Sequence, residues 1–272
     1  ILRLTDQETS LHVSVLSWNR RVWRLAGPIM ISNVSVPLLG AVDTAVVGHL
    51  PGAEYIGAVA IGTTVFNVLF LSLSFLRMGT SGLTAQAVGA GDGDEMRAAL
   101  ARPIVIGLAI ALGLVTLQVP LAWLAFGLID ASPAVEALAR DYFSVRIWAA
   151  PGTLANFVLL GWFIGMQNTR AFLSLQLLMN TLNIALDFWF VIGLEVGVTG
   201  VAWAFLTAQY VSLVLGLALV RRILRGMPGS WRWDLIRQTD RLKRMLSINR
   251  DIFLRTLCLL SLIHISEPTR LR

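Results

Sequence analysis

Two carboxylates, Asp43 and Asp187, lie inside long apolar stretches of the sequence. A charge in hydrocarbon is costly, so an acidic residue there usually faces a cavity and handles ions or protons. Arg24 precedes Asp43 by 19 residues, and Arg170 precedes Asp187 by 17. At about 1.5 Å per helical residue, these spacings are about 28 Å and about 26 Å. If both helices begin at the same membrane face, the two carboxyl groups lie at one depth, which predicts a common site.

The residues before Asp187 are also polar at helical spacing. Asn180, Asn183 and Asp187 are spaced by three and four residues, so they lie on one face of a helix. Polar groups on an apolar helix need partners inside the protein. Two interpretations remain open: the three residues bind neighbouring helices together, or they line a cation or proton site in which Asn183 orients the Asp187 carboxyl.

A pair of buried carboxyl groups can carry a proton. Burial disfavours the charged form of each group, and a second carboxylate nearby disfavours it further. We therefore expect Asp43 and Asp187 to titrate as a coupled unit that releases its proton when the cavity rehydrates or a cation enters. Such a proton-exchanging pair is the least that a proton-coupled antiporter needs. A capping or purely structural role is the alternative for Asp43.

Other polar residues in apolar segments could complete the lining of such a cavity. They are Thr153 and Asn156 in one segment, and Thr207 and Gln209 in another. Ordinary packing between helices is the alternative for each of them. Pro28 can bend its helix, because proline removes a backbone hydrogen bond. It is therefore a candidate hinge, unless it only occupies the first turn of that helix.

The composition indicates which kind of elements must position these residues. The chain has 272 residues, of which 56% are hydrophobic and 14% charged, and its mean hydropathy is +0.72. Average soluble proteins carry about 25% charged residues, so a bilayer is the better solvent for this chain. The net charge of +6 resides in clusters between apolar segments, whereas nucleic-acid binders have a continuous basic face. The single cysteine, Cys258, excludes an intrachain disulfide framework.

The apolar segments predict an all-α membrane protein with six complete transmembrane helices and the start of a seventh. Each complete segment reaches the roughly 20 residues that a helix needs to cross a bilayer. The six are expected near 25–48, 56–76 (continuing as helix to about 88), 98–127, 137–166, 171–194 and 198–220.

We expect the six helices to form one lobe at 25–220, and four further segments to flank it. An amphipathic lead occupies 1–24, a basic linker occupies 221–248, and a truncated seventh helix occupies 249–259. Residues 260–270 read LSLIHISEPTR, which resembles the in-frame translation of a sequencing adapter and interrupts an apolar helix with a polar tail. We exclude 260–272 from the fold as non-native, although an authentic amphipathic terminus is the alternative.

The distribution of arginine predicts the orientation. The connections at 49–55, 128–136 and 194–197 contain no Lys or Arg, whereas the segments that alternate with them are rich in arginine. The positive-inside rule then places the N-terminus and the linker in the cytoplasm, with the chain as a multi-pass protein of a bacterial inner membrane. Arg140 and Arg146 are exceptions. We expect them either to stand above the membrane or to pair with Asp141.

Four sequence segments resemble the multidrug and toxic compound extrusion (MATE) family, and in particular its bacterial branch of DNA-damage-inducible proteins. These segments are LAGPIMISNVSVPLLGAVDTAVVGHL, LRMGTSGLTAQAVGAGD, LLGWFIGMQNTR and NTLNIALDFWFVIGLEVGVTGVA. The resemblance runs in order from about Trp23 to Leu259. It implies a transporter of two six-helix lobes, so that a missing C-terminal lobe is an expected partner. It also implies export of small amphipathic or cationic compounds in exchange for H⁺ or Na⁺.

The resemblance also implies roles for particular residues. The proton or cation coupling residues would be Asp43, Asp187, Asn183 and Asn156, with Na⁺ possible at Asp187 and Asn183, and with Pro28 as the hinge. Relatives often place a threonine on the sixth span where this chain has Phe205, which weakens a complete Na⁺ site. No cofactor besides the coupling ion is expected, and scattered histidines with one cysteine do not form an enzyme site.

Two alternatives to an antiporter remain. One is a lipid or oligosaccharide-lipid flippase of the wider superfamily. Such flippases usually carry cavity arginines to meet phosphate, and the interiors of spans one, five and six have none. The other is an inactive fragment, because alternating access needs a second lobe. Membrane lipid is an expected partner in every case.

Overall fold

The computed structural model describes residues 23, 26, 27, 30 and 39–238. Pro28, most of the lead, the linker beyond 238, the seventh helix at 249–259 and the tail at 260–272 lie outside the described residues. Within the described part, the chain is helical with short connections. The helices are α1 (39–47), α2 (Ala53–Ser72), α3 (Phe75–Gly89), α4 (Gly93–Thr116), α5 (Gln118–Gly127), α6 (Pro133–Arg146), α7 (Ala150–Gly165), α8 (Thr169–Asp187), α9 (Val198–Arg225) and α10 (Trp233–Ile236).

Five stretches of the described chain are long and apolar enough to cross a membrane. They are Ala53–Gly89, Gly93–Thr116, Pro133–Gly165, Thr169–Gly193 and Val198–Arg225. The second to sixth predicted spans are therefore confirmed, and so is the all-α membrane fold class. The described part of the first predicted span is α1.

Two predicted boundaries were wrong for physical reasons. The third span was expected to continue to 127, but α4 ends at Thr116 and α5 begins at Gln118. Pro120 cannot donate a backbone hydrogen bond to Thr116, so the helix breaks there. The sixth span was expected to end at 220, but α9 continues to Arg225. Basic side chains in the last turn, including Arg222 and Arg225, favour that extension by interacting with the helix dipole.

The turn before α4 is fixed by a side-chain cap. Asp92 accepts hydrogen bonds from the backbone N–H groups of Asp94 and Glu95 at 3.1 Å and 2.9 Å. These donors have no partner within the helix, so the cap stabilises its first turn. The helix consequently begins at Gly93, earlier than the start near 98 that we expected for the third span.

Helix α7 is the centre of the lobe. It is buried along most of its length and packs against α3, α4, α8 and α9. A Cβ atom at Gly161 would overlap the backbone of Arg77 on α3, so only glycine permits this approach. Close packing at small residues is a general way to hold membrane helices together.

The packing of the remaining helices positions the candidate site. α6 packs against both α2 and α9, and α8 packs against α9. A 3₁₀ turn at Ile147–Ala149 joins α6 to α7, and a π-helical turn at Phe188–Gly193 follows α8. The ends of α6 and α8 therefore come together beside α1 and α2.

Candidate functional site

The structure brings Asp43 and Asp187 together. Their side chains are in hydrogen-bonding contact, although they lie on α1 and at the end of α8, far apart in sequence. Asp187 is fully buried, and Asp43 is half-buried. The Oδ1 atom of each carboxyl is buried and finds no N–H or O–H donor among the described residues. Two ionised carboxylates only accept hydrogen bonds, so in that form neither would donate to the other.

Asp187 is oriented by the asparagine one turn before it. Asn183 Nδ2 donates to Asp187 Oδ2 at 3.0 Å, and both side chains are buried. The π-helical turn begins immediately after Asp187. Such turns often occur at functional sites, because the wider helix changes the direction of the side chains around it. The other carboxyl oxygen of Asp187, Oδ1, is buried without a hydrogen-bond partner among the described residues.

A buried polar stripe runs along α8 towards Asp187. The predicted residues Asn180 and Asn183 lie on it together with Gln176, which the sequence analysis did not include. Gln176 Nε2 donates to Asn180 Oδ1 at 3.3 Å. The signal was present in the sequence, because Gln176 precedes Asn180 by one helical turn.

Arg146 is the functional candidate that the sequence analysis misplaced. We expected it to stand above the membrane or to pair with Asp141. Instead its side chain is buried inside the lobe, where it attracts both Asp43 and Asp187 electrostatically. Arg140 does not pair with Asp141 either: its Nη2 forms a salt bridge with Glu136 Oε1 at 2.7 Å.

Aromatic rings surround the Arg146 guanidinium. Its Cζ atom lies 4.2 Å from the ring centroid of Phe205 and 5.2 Å from those of Phe66 and Tyr142. Such contacts stabilise a cation that is withdrawn from water. The apolar sequence begins only after Arg146, which is why we expected Arg146 at the outer end of its span. Tyr142, one turn earlier on the same helix face, was the signal for a buried arginine.

A polar contact links Arg146 to α2. Arg146 Nη1 donates to Thr63 Oγ1 at 3.3 Å, and Thr63 Oγ1 also contacts the Tyr142 hydroxyl at 3.2 Å. The Nε atom of Arg146 is buried and has no acceptor among the described residues. The cation is therefore held mainly by aromatic faces and by the nearby carboxyl groups rather than by a full set of hydrogen bonds.

A cavity of about 160 Å³ lies between α1 and α2 next to this cluster. Asp43 and Thr44 on α1 and Thr63 on α2 contribute its polar atoms, and Gly40, Val47, Ile56, Val59 and Ala60 complete the lining. The volume is sufficient for a few water molecules. Asp43 thus lies between the buried Asp187 and this cavity.

Asn156 and Thr153 belong to a second polar cluster, between α7 and α9. Asn156 Nδ2 donates to the side-chain and backbone oxygens of Gln209 at 2.8 Å and 2.9 Å. Thr153 Oγ1, Asn156 Oδ1 and Ser212 Oγ are buried without a hydrogen-bond partner among the described residues. The structure therefore pairs Asn156 with Gln209, and its predicted role in coupling stays a prediction.

Two predicted residues remain outside these clusters. Thr207 is half-buried on α9, and the contacts described for the carboxyl pair do not include it. The predicted hinge, Pro28, lies outside the described residues. Among the described residues, no group of three or more His, Cys, Asp or Glu side chains could hold a metal ion.

Comparison of the chain with known proteins points to one family. The MatE family model matches residues 28–189. The chain is 43% identical over 250 residues to the DNA damage-inducible protein F of Escherichia coli (strain K12), covering 89% of this chain and 53% of that protein. It is 29% identical over 206 residues to a probable multidrug resistance protein NorM of Caulobacter vibrioides, covering 73% of this chain and 43% of that protein.

Solved structures show the same relationship. An outward-facing multidrug resistance MATE family transporter of the MOP superfamily superimposes with a TM-score of 0.74 at 25% identity, over 87% of this chain and 52% of that one. A MOP superfamily transporter from Pyrococcus furiosus, described as having a binding pocket of reversed polarity, gives 0.73 at 26% identity over the same shares. The chain spans about half the length of the curated relatives that it matches.

Proposed function

Because the chain belongs to the MATE family of transporters, we propose that it forms one lobe of a secondary antiporter that exports amphipathic or cationic compounds in exchange for protons. The observation that carries this proposal is the contact between Asp43 and Asp187, two carboxyl groups on separate helices that meet without another donor for their Oδ1 atoms. The second lobe would be the partner against which this lobe moves. No enzymatic activity is proposed.

The carboxyl pair is suited to hold one exchangeable proton. With one proton the two groups can hydrogen-bond, whereas with none they repel each other in a buried site. The cavity beside Asp43 gives the proton a route that does not cross the packed core. Protonation of Asp43 and Asp187 would then decide how closely α1 approaches α8.

Arg146 sets the charge of the site in each state. The pair with one proton, together with the Arg146 guanidinium, has a net charge of zero. Loss of that proton leaves a net charge of −1, which attracts a cationic compound into the same region. A proton and a cation therefore compete for one negative charge, and this competition is the basis of exchange.

Several features favour H⁺ over Na⁺ as the coupling ion. Arg146 already supplies a fixed cation near both carboxyl groups. Phe205, on the span where the family often places a threonine, covers that guanidinium with its ring instead of offering a hydroxyl. Sodium needs several oxygen ligands at once, whereas Asn183 turns its amide nitrogen rather than its oxygen towards Asp187. A proton needs only the two carboxyl groups.

One observation supports the flippase alternative: Arg146 is buried, and a buried arginine could bind a phosphate. Asp43 and Asp187 lie close to it, however, and a phosphate would be repelled by whichever of them is ionised. The net charge of the cluster at or below zero favours a cationic rather than an anionic cargo. Flipping of lipid phosphates is therefore the weaker proposal.

The proposed orientation places the N-terminus in the cytoplasm of a bacterium, with the lobe in the inner membrane. Arg97 of α4 contacts the last turn of α9, which carries Arg222 and Arg225, and Arg102 of α4 contacts α10 beyond it. The basic ends of two spans thus lie on one side of the lobe, as the positive-inside rule requires of a cytoplasmic face.

The test replaces each carboxyl in the complete transporter, expressed in a host that lacks its own drug efflux. Asp43→Asn and Asp187→Asn should each abolish drug resistance while the protein remains in the membrane. Asp141→Asn, an exposed carboxylate on α6, is the matched control and should retain resistance. Unchanged resistance in both site variants would remove the coupling hypothesis.

A further inference from the structure

A second concave site lies away from the carboxyl pair, in a groove between α4 and α9. Both helices pack against α7, and the groove between them has a volume of about 530 Å³. Its walls are mainly apolar, and the segment after α9 forms its floor. The lining is Leu100, Ala101, Ile104 and Val105 of α4, Leu217, Val220 and Leu224 of α9, and Gly229, Trp231, Trp233 and Ile236 beyond it, with arginines at one end.

The apolar walls continue into the surface that would face lipid. Val105, Leu108 and Leu112 of α4 are exposed along one face, and Leu217 of α9, which also lines the groove, is exposed as well. The helical length from Leu100 to Leu112 is about 18 Å, close to half the hydrocarbon thickness of a bilayer, which is about 30 Å. The groove is lined on α4 as far as Val105 and the exposed apolar face continues to Leu112, so an acyl chain of one leaflet can lie in the groove and then along this face.

The rim of the groove is cationic. Arg221 and Arg225 are exposed, line the groove and are four residues apart, so they project from one face of α9. In the part of the chain that the structure describes, neither forms a salt bridge with an acidic residue. The nearest acidic groups on the floor already have partners: Asp94 accepts from the Ser230 N–H at 2.6 Å, and Asp234 pairs with Arg232 at 2.6 Å.

Arg97 holds the segment that forms the floor of the groove. Its guanidinium donates to the carbonyl oxygens of Leu224, Met227 and Pro228 at 2.8 to 3.1 Å, which ties the segment after α9 to α4. Trp231 and Trp233, on that segment, are 51% and 68% exposed. Exposed indoles of this kind are typical of the headgroup region of a membrane, so the mouth of the groove lies at headgroup depth.

We propose that the α4–α9 groove binds an anionic phospholipid, with one acyl chain along its apolar walls and the phosphate paired with Arg221 and Arg225. Basic pockets between membrane helices are suited to acidic headgroups, and the apolar length of this one requires a lipid rather than a free anion. The site is independent of the carboxyl pair. Bound lipid would hold the segment after α9 against the membrane.

The experiment uses the full chain, purified in detergent and offered phosphatidylglycerol and phosphatidylcholine with identical acyl chains. Native mass spectrometry then measures the ratio of retained lipids. We expect phosphatidylglycerol to be retained preferentially. Arg221→Gln combined with Arg225→Gln should reduce that preference by up to about thirtyfold, the combined worth of two basic residues at a membrane surface. Arg222→Gln is the matched control, because Arg222 is exposed on α9 but does not line the groove.

A second pair of variants tests the apolar part without changing a charge. Leu217→Trp fills the groove and should lower phosphatidylglycerol retention, whereas Val214→Trp, on the exposed surface outside the lining, should not. Equal retention by wild type and the double arginine variant would overturn the proposal, as would equal effects of Leu217→Trp and Val214→Trp. Displacement of the lipid by millimolar inorganic phosphate would overturn the acyl-chain assignment.

Discussion

Comparing Asp187→Asn with Asp187→Ala separates the structural and proton-carrying roles of the carboxyl pair. Asparagine has the shape of aspartate but cannot exchange a proton. Its carbonyl oxygen can accept the Asn183 hydrogen bond, and its amide can donate to Asp43. Alanine can do neither, so it removes both contacts from a fully buried position.

The expected sizes of the two effects differ. In Asp187→Asn both hydrogen bonds have a replacement, so the free energy of unfolding should change by no more than about 1 kcal/mol. In Asp187→Ala the Asn183 amide and the Asp43 carboxyl both lose a partner, at about 1–3 kcal/mol for each buried group. The total loss is then about 2–6 kcal/mol before any term for the space left by the side chain.

Two measurements test this comparison. Unfolding of each purified variant gives its stability, and the pH change on adding drug to proteoliposomes that contain the complete transporter gives exchange. We expect the asparagine variant to be stable and inactive, and the alanine variant to be unstable and inactive. Asp141→Asn and Asp141→Ala are the matched control pair, and both should stay within about 0.5 kcal/mol of wild type because Asp141 is exposed.

Two results would refute the reasoning. If Asp187→Asn exchanges protons for drug at the wild-type rate, the pair does not carry the coupling proton. If Asp187→Asn is destabilised as much as Asp187→Ala, the amide does not replace the hydrogen bonds, and the contact between the two carboxyl groups is not the one described.

The remaining predictions concern the cation, the core and a helix cap. Arg146→Gln removes the positive charge that favours ionised carboxyl groups, so the pH profile of exchange in proteoliposomes should move towards alkaline pH. An unchanged pH profile would exclude Arg146 from the site. Gly161→Ala forces α7 away from the backbone of α3 and should lower the free energy of unfolding by about 1–3 kcal/mol. Gly113→Ala is the control, because its Cβ would meet open space. Equal melting temperatures of the two variants would contradict the close contact at Gly161. Asp92→Ala removes the cap of α4 and should cost about 1 kcal/mol, measured by thermal unfolding.

Much of the fold could be predicted because its signals are local. Apolar stretches of sufficient length gave the second to sixth spans, and the sequence motifs gave the family. The boundaries that failed depended on single residues whose effects are positional. Pro120 ends α4 because of the one hydrogen bond that it cannot make, and the cap at Asp92 starts that helix earlier than its composition suggests.

The candidate site was only partly visible in the sequence. Asn180, Asn183 and Asp187 share a face because helical spacing alone places them there, and their burial follows from an apolar helix that needs internal partners. The resemblance implied a coupling role for Asn156, which stays a prediction, and only the structure shows that its amide contacts Gln209. Which of two neighbouring helices a side chain meets depends on packing, and no spacing within one helix contains that information.

The sequence by itself determined that this chain is a membrane-embedded bundle with two acidic residues inside its apolar segments, since hydropathy and helical period are properties of consecutive residues. Only the tertiary structure decided that Asp43 and Asp187 touch, and that Arg146 turns inward to join them instead of facing water. The physical reason is that a buried charge is tolerated only where other elements supply its partners. Two of the three rings around Arg146, those of Phe66 and Phe205, come from helices other than its own.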